Sequence, residues 1–181
     1  MTTIAKDSKR KVTRAAPPKV ARSAKAAGKY VIKVDLKKLP AGMSPKLAEK
    51  VRGMGLTTDP GLQPKNGATH CNQAADKYAR EFGYKGLEDK HGNPMMASDM
   101  FKKMNAPGSG WKKLSAQEAI AAAKSGKMVF AAVAAQPHGH IAAVTGEWAP
   151  GVPGVSQAGS VPNFEFGKWR RKETPTYFVH E

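Results

Sequence analysis

The chain has 181 residues, with 30 Lys and Arg against 14 Asp and Glu, and a formal net charge of +16 at pH 7. This length is typical of one domain, and no run of residues approaches the roughly 18 consecutive apolar positions that a membrane-spanning helix needs. The single cysteine, Cys71, excludes an internal disulfide framework and a four-cysteine zinc site.

Positive charge is concentrated at the start of the chain. Residues 1–29 contain nine basic residues and one acidic residue, a net charge of +8, and the remaining 152 residues carry another +8. With few large aliphatic side chains, the first segment cannot bury enough apolar surface to offset the entropy lost on ordering. We therefore predict a disordered basic tail over residues 1–29 and a single folded domain over residues 30–181.

Three roles are open for this basic tail. It either keeps the protein soluble, attracts a polyanion such as nucleic acid or cell-wall polymer, or is recognised by an export system. The tail has no apolar core of the kind that marks a secretory signal peptide. We therefore expect synthesis in the cytoplasm without a signal peptide.

The first predicted elements after the tail are a strand and a helix. Residues 30–36 alternate in polarity and are rich in β-branched side chains, which predicts a short strand. Ser44 followed by Pro45 is typical of a helix start, and the apolar spacing predicts a helix over residues 44–54. Glycines and prolines then predict a loop of about a dozen residues before Cys71, and long ordered loops in small domains are often functional.

Three further helices follow along the chain. From Cys71 onwards the small and apolar side chains fall on one face, which predicts a helix over residues 71–82. Residues 95–104 form the next predicted helix. Ser115 and Glu118 match a capping box, which predicts the start of a third helix at that point.

After this last helix the pattern changes to short apolar segments separated by Gly, Pro and Gln turns. Such segments indicate strands. Helices followed by consecutive strands predict an α+β fold, in which N-terminal helices pack on a mostly antiparallel sheet of five to six strands. The five strands predicted here cover residues 128–135, 140–146, 155–159, 164–169 and 176–180.

The single cysteine is the first candidate for chemistry. Cys71 follows a glycine-containing loop and begins a predicted helix. At a helix N-terminus the backbone N–H groups and the helix dipole favour the thiolate, which lowers the pKa of a thiol from its usual value of about 8.5. The same N–H groups are placed to hold an oxyanion, so Cys71 is a candidate nucleophile.

A nucleophile of this kind needs a base, and the best candidate is His140. This residue begins a predicted strand directly after a turn, which places its ring at the end of the strand. His138 lies two residues earlier and is the alternative base. A third polar group usually orients the imidazole. We assign that role to Gln157 on the next predicted strand, with Glu147 as the reserve.

The residue types alone leave other interpretations open. A lone cysteine is often a buried structural residue. His138 and His140 are also spaced to form a metal pair, with His70 or His91 as the third ligand, although no cluster of acidic ligands accompanies them.

A series of short motifs runs through residues 67–180 in a fixed order. The motifs are Thr69-x-Cys71-Asn72, then Asp76, Ala97-x-x-Met100, Trp111 ahead of an alanine-rich helix, Gly139-His140-Ile141-Ala142-x-Val144, Gln157-Ala158-Gly159 with Asn163-Phe164, and Tyr177-Phe178-x-His180. This ordered set resembles the papain-like cysteine hydrolases of the cell wall, the CHAP and NlpC/P60 group, in a bacterial and phage type.

The resemblance implies a papain-like fold and a catalytic set of Cys nucleophile, His base and polar third residue, which map to Cys71, His140 and Gln157. The oxyanion would be held by the Cys71 backbone N–H and by a second donor from the preceding loop or from Asn72. The implied substrates are amide bonds in peptidoglycan stem peptides. The implied chemistry uses no metal and no organic cofactor.

Together these observations predict a cysteine amidase or endopeptidase of bacterial peptidoglycan, from a phage or an antibacterial effector. It would act in the periplasm or at the cell wall after export, delivery or lysis. Besides peptidoglycan, the expected partners are a secretion or virion component and an immunity or inhibitor protein.

Two other classes remain as alternatives. One is a nucleic-acid- or polyanion-binding protein with a basic N-terminal arm and a structural Cys71, in which nucleic acid binds through the tail only. The other is a catalytically inactive wall-binding module, against which the presence of both Cys71 and His140 argues.

Overall fold

The computed structural model describes residues 39–64, 70–135, 138–159 and 163–181. The predicted basic tail over residues 1–29 and the predicted strand over residues 30–36 lie outside these described residues. No helix in the described ranges is long and apolar enough to cross a bilayer. The α-helices of the described part are α1 (Ala48–Met54), α2 (Cys71–Arg80), α3 (Ala97–Asn105) and α4 (Ala116–Lys124). The strands are β1 (Trp111–Leu114), β2 (Val129–Val133), β3 (His140–Ala149), β4 (Val152–Gln157), β5 (Phe164–Lys168) and β6 (Thr176–His180).

The described strands form one sheet in the order β1-β6-β2-β3-β4-β5, and every neighbouring pair is antiparallel. The predicted antiparallel sheet is therefore confirmed, in a mixed arrangement of helices and strands that is compatible with the α+β class. The strand β1 was not predicted. Its two central residues, Lys112 and Lys113, are exposed, and β1 is an edge strand that pairs with β6 alone. Lysines on an edge strand hide the apolar alternation that marks a strand.

Helices cover both faces of the sheet. On one face α2 and α3 pack against a buried cluster that includes Phe130, Ile141 and Phe178. On the other face α4 packs Ala119 and Ala123 against small and branched strand residues. Because successive side chains of a strand point to opposite faces, one central strand supplies residues to both clusters. The N-terminal helices thus pack on the sheet as predicted, and α4 adds a layer on the opposite side.

The predicted helix starts agree with the structure, except that α3 begins at Ala97, two residues after the predicted start at residue 95. In the capping box of α4, the Ser115 N–H donates to Glu118 Oε2 at 2.7 Å, and the Glu118 N–H donates to Ser115 Oγ at 3.3 Å. The predicted helix at Ser44 begins with a 3-10 turn over Pro45–Leu47 and continues as α1. Helix α2 begins at Cys71, as the sequence predicts.

Candidate active site

Cys71 is the first residue of α2 and is 4% exposed. The buried residues of this helix are small apart from Asp76 and Tyr78, and the helix packs on β3 and β4. The first main-chain hydrogen bond of the helix runs from the Ala74 N–H to the His70 carbonyl at 3.0 Å. The backbone N–H groups ahead of this bond lie at the positive end of the helix dipole, where a thiolate or an oxyanion is stabilised.

Two contacts hold the backbone at His140, the first residue of β3, and at the residue two before it. His140 is paired with Val133 of β2. Ser98, in the first turn of α3, donates its N–H to the His138 carbonyl at 3.2 Å. Gly139 makes the turn between His138 and His140 with φ of +68°. A Cβ at this position would lie 2.7 Å from the Val133 carbonyl oxygen. The sequence therefore needs glycine before His140.

Gln157 is the last residue of β4, and its Oε1 lies 3.1 Å from His140 Nε2. The two side chains meet because β3 and β4 are antiparallel neighbours, so that the start of one lies beside the end of the other. An amide carbonyl oxygen only accepts hydrogen bonds, so Nε2 carries the proton and donates it. The other ring nitrogen, Nδ1, is then the basic one.

Burial lowers the pKa of His140, and the hydrogen bond with Gln157 opposes this shift. The nearby charges of Arg171 and Glu173 act in opposite directions, the first lowering and the second raising the pKa. The half-buried Trp169 covers the imidazole, with 5.1 Å between the two ring centroids. The lowered pKa keeps the imidazole neutral near pH 7, which is the form that accepts a proton.

Helix α2 packs on β3 and β4, the two strands that carry His140 and Gln157. Cys71 belongs to the buried cluster on this face of the sheet, together with Ile141 and Ala158.

Asn72 and Glu147 have other partners. The Asn72 side-chain amide donates to the Met95 carbonyl at 3.0 Å, which ties the start of α2 to the segment before α3. Glu147 forms an ion pair with Lys124 and accepts the Gly151 N–H at 3.0 Å. Glu147 lies seven positions after His140 along β3, a distance of about 23 Å at 3.3 Å per residue. The structure thus places Gln157, and not the reserve residue Glu147, beside the His140 ring.

The histidines considered as metal ligands do not form a cluster. His138 and His91 are exposed and His70 is half-buried, whereas His140 is buried with its Nε2 bonded to Gln157. In the four described ranges, no group of three or more His, Cys, Asp or Glu side chains is arranged to hold a metal ion.

Two residues near the site carry roles that the sequence analysis did not assign. Trp169 stands at the end of a predicted strand, and nothing in its local pattern shows that it covers a ring near the start of β3. Asn163 belongs to a motif noted in the sequence, but its two hydrogen bonds to the distant carbonyls of Leu56 and Leu62 have no local signal. A comparison with protein-family models and a search of curated proteins give no match to this chain.

Proposed function

We propose that the protein is a cysteine hydrolase that cleaves amide bonds in peptidoglycan stem peptides, as a phage lytic enzyme or a secreted antibacterial effector. The observation that carries this proposal is the buried hydrogen bond between His140 Nε2 and Gln157 Oε1. It leaves Nδ1 as the basic nitrogen, on strands that pack against the helix begun by Cys71.

The proposed reaction begins when His140 Nδ1 takes the proton from the Cys71 thiol. The thiolate attacks the amide carbonyl carbon, and the oxyanion that forms is held by the Cys71 backbone N–H and by a second donor. The Asn72 amide has a second N–H hydrogen besides the one given to Met95, and it is the candidate for this donor.

Collapse of this intermediate breaks the C–N bond. The imidazolium gives its proton to the leaving amine, and the acyl group remains on Cys71 as a thioester. Water, deprotonated by His140, then attacks the thioester and releases the carboxylic acid and the thiol. The chemistry needs no metal and no organic cofactor.

A papain-like fold is part of this proposal. In support, a helix that begins with a cysteine packs on an antiparallel sheet whose adjacent strands carry the histidine and its polar partner. The placement of the function at the cell wall or in the periplasm, after export, delivery or lysis, belongs to the same proposal.

The charge near the site suits an anionic polymer. Four basic residues lie within the stretch from Lys168 to Lys172, directly beside Trp169, which covers His140. Peptidoglycan stem peptides carry carboxylates, and positive surface charge raises the local concentration of such a substrate.

The test is hydrolysis of isolated peptidoglycan by the purified protein. We expect the release of soluble fragments with new free amines, and we expect Cys71→Ala and His140→Ala to abolish it while circular dichroism shows an intact fold. His138→Ala is the matched control, because this exposed histidine lies two residues from His140 and should be dispensable.

A polyanion-binding protein is the second candidate, favoured by the net charge of +16. It predicts that no wall type is hydrolysed, that DNA binding is tight at physiological salt, and that Cys71→Ala changes neither. That combination of results would replace the enzyme by a nucleic-acid-binding protein with a structural cysteine.

A further inference from the structure

We propose that Asn163 is a positioning residue, which locks the loop before Cys71 to the strand end that holds the His140 ring. This inference rests on the proposed function, because it concerns the geometry of the same site. It goes beyond that function by assigning the alignment of the site to a side chain that touches neither the thiol nor the imidazole in the proposed reaction.

Two hydrogen bonds connect the Asn163 side chain to the loop that follows α1. Asn163 Nδ2 donates to the Leu56 carbonyl at 3.0 Å and to the Leu62 carbonyl at 2.8 Å. Both leucine side chains are at most 1% exposed and belong to the buried cluster that includes Cys71. These bonds therefore hold a stretch of loop that contacts α2 and whose side chains pack in the same buried cluster as Cys71.

A third hydrogen bond connects the Asn163 side chain to the segment that follows β4. Asn163 Oδ1 accepts the Gly159 N–H at 3.1 Å. A Cβ on Gly159 would lie 4.0 Å from His140 Cε1 and 3.7 Å from Gln157 Nε2. The backbone held by Asn163 thus runs along the edge of the imidazole, beside the hydrogen bond that orients it.

Only a carboxamide fits the three groups that meet here. They are one N–H and two carbonyl oxygens, which call for one acceptor and two donors, as in an asparagine side chain. An aspartate is almost the same shape but has no donor, and its charge would face the carbonyl oxygens of Leu56 and Leu62. An alanine would leave all three groups to be satisfied by water.

The chemical consequence lies in the alignment of thiol and imidazole. A displacement of reacting groups by about 1 Å can cost on the order of a hundredfold in rate. Without the Asn163 hydrogen bonds the loop and the strand end can move independently of each other. This should impair proton transfer from Cys71 to His140 more than it impairs substrate binding. We therefore expect kcat for amide hydrolysis to fall about 10- to 100-fold in Asn163→Asp, with KM changed by less than about threefold.

The decisive experiment is alkylation of Cys71 by iodoacetamide as a function of pH, since this reaction needs no peptidoglycan. A thiol that passes its proton to an adjacent neutral imidazole reacts as a thiolate below its ordinary pKa, and a misaligned thiol does so only near that pKa. We expect alkylation of Asn163→Asp and Asn163→Ala at pH 6 to be at least about tenfold slower than in the parent protein, with similar rates at pH 9.

Ser115→Ala is the control for a general loss of stability. It removes the N-cap of α4, which packs on the opposite face of the sheet from α2. Thermal melts identify an assay temperature at which every variant is folded. A slowed reaction at pH 6 in both Asn163 variants, with a parent-like profile in Ser115→Ala, supports the positioning role.

Two other outcomes are distinguishable. If His140→Ala slows the reaction at pH 6 but neither Asn163 variant does, the positioning role is overturned and the proposed enzyme stands. If His140→Ala leaves the pH profile unchanged, the pairing of thiol and imidazole is absent, and the proposed function falls together with the role of Asn163.

Discussion

His140 Nε2 and Gln157 Oε1 lie 3.1 Å apart, where the first residue of β3 meets the last residue of β4. Both side chains are at most 5% exposed, so water does not compete freely for this hydrogen bond. The glutamine fixes the imidazole tautomer, and as a neutral partner it stabilises an imidazolium less than a carboxylate would. In the proposed enzyme this arrangement suits a base that is neutral before it accepts the thiol proton.

The first prediction concerns the strength of this orienting bond. Replacing Gln157 by Ala removes the acceptor but leaves the thiol and the imidazole in place. We expect kcat for peptidoglycan hydrolysis to fall at least about tenfold less than in Cys71→Ala or His140→Ala, because orienting groups contribute less than the groups that react. Parallel kinetics of the three variants at one pH would measure the difference.

Gln157→Glu is the matched variant, since it keeps the length of the side chain and adds a charge. A carboxylate beside the ring favours the imidazolium, so the acid limb of the pH profile of kcat/KM should move to higher pH. Equal losses in Gln157→Ala and His140→Ala would mean that Gln157 also determines the fold. An unchanged rate in Gln157→Ala would remove its orienting role.

The second prediction is a pH dependence of stability. Burial lowers the pKa of His140 in the folded protein below the usual value of 6.5, so the unfolded chain binds the proton more readily. Stability should therefore rise with pH, with the contribution of neutral His140 complete above about 6.5 and lost as the pH falls below it toward the folded pKa. Melting temperatures of the parent protein and His140→Gln at pH 7.5 and 5.5 would show this.

The parent protein should lose more stability between these two pH values than His140→Gln does, because the variant has no titrating group at this position. His138→Gln is the control: it removes an exposed histidine, and its melting temperature should follow that of the parent protein. A parent-like pH dependence in His140→Gln would contradict the lowered pKa.

The third prediction tests the turn before His140. In Gly139→Ala the Cβ would lie 2.7 Å from the Val133 carbonyl oxygen, in a backbone conformation with φ of +68°. Strain of this kind costs about 1–3 kcal/mol, and relief of the clash would shift His140 away from Gln157. We expect a lower free energy of unfolding in urea and a marked loss of peptidoglycan hydrolysis.

Gly151→Ala separates the strain of a positive φ from the clash of the added Cβ. Gly151 has φ of +74°, but a Cβ there would meet no heavy atom within 4 Å. This variant should lose stability through its backbone conformation and keep its activity. If both variants lost activity to the same extent, the close packing behind Gly139 would not be the reason for the effect.

The elements that follow from local patterns were predictable from the sequence. The start of α2 at Cys71 and the capping box of α4 depend on residues within a single turn, and β6 depends on a short apolar alternation. Strand β3 continues to Ala149, beyond the predicted end at residue 146, and it contains irregular register. The first residue of this extension is bonded to a distant segment, since the Glu147 N–H donates to the Gly42 carbonyl at 2.9 Å, and no local pattern reports such a partner.

The candidate site likewise contains some contacts that were predictable from the sequence and others that were not. The contact between His140 and Gln157 was predictable because consecutive antiparallel strands place the start of one beside the end of the other. The positions of Trp169 and Asn163 were not, because each contacts groups far away in the chain whose approach depends on the complete fold. Local sequence patterns therefore indicate the candidate reacting groups but not the residues around them.

The last prediction concerns the basic segment over residues 1–29, which carries half of the net charge but no candidate catalytic group. Removing it should leave the rate of hydrolysis of small soluble muropeptides unchanged. The same truncation should weaken binding to whole sacculi, because attraction between the segment and the anionic polymer is lost. In a sedimentation assay the difference between full-length and truncated protein should shrink as salt is raised, since exposed charges are screened within roughly 8–10 Å at physiological ionic strength. A truncated protein that loses hydrolysis of small fragments as well would show that the segment takes part in the chemistry or in the fold, and not only in polymer binding.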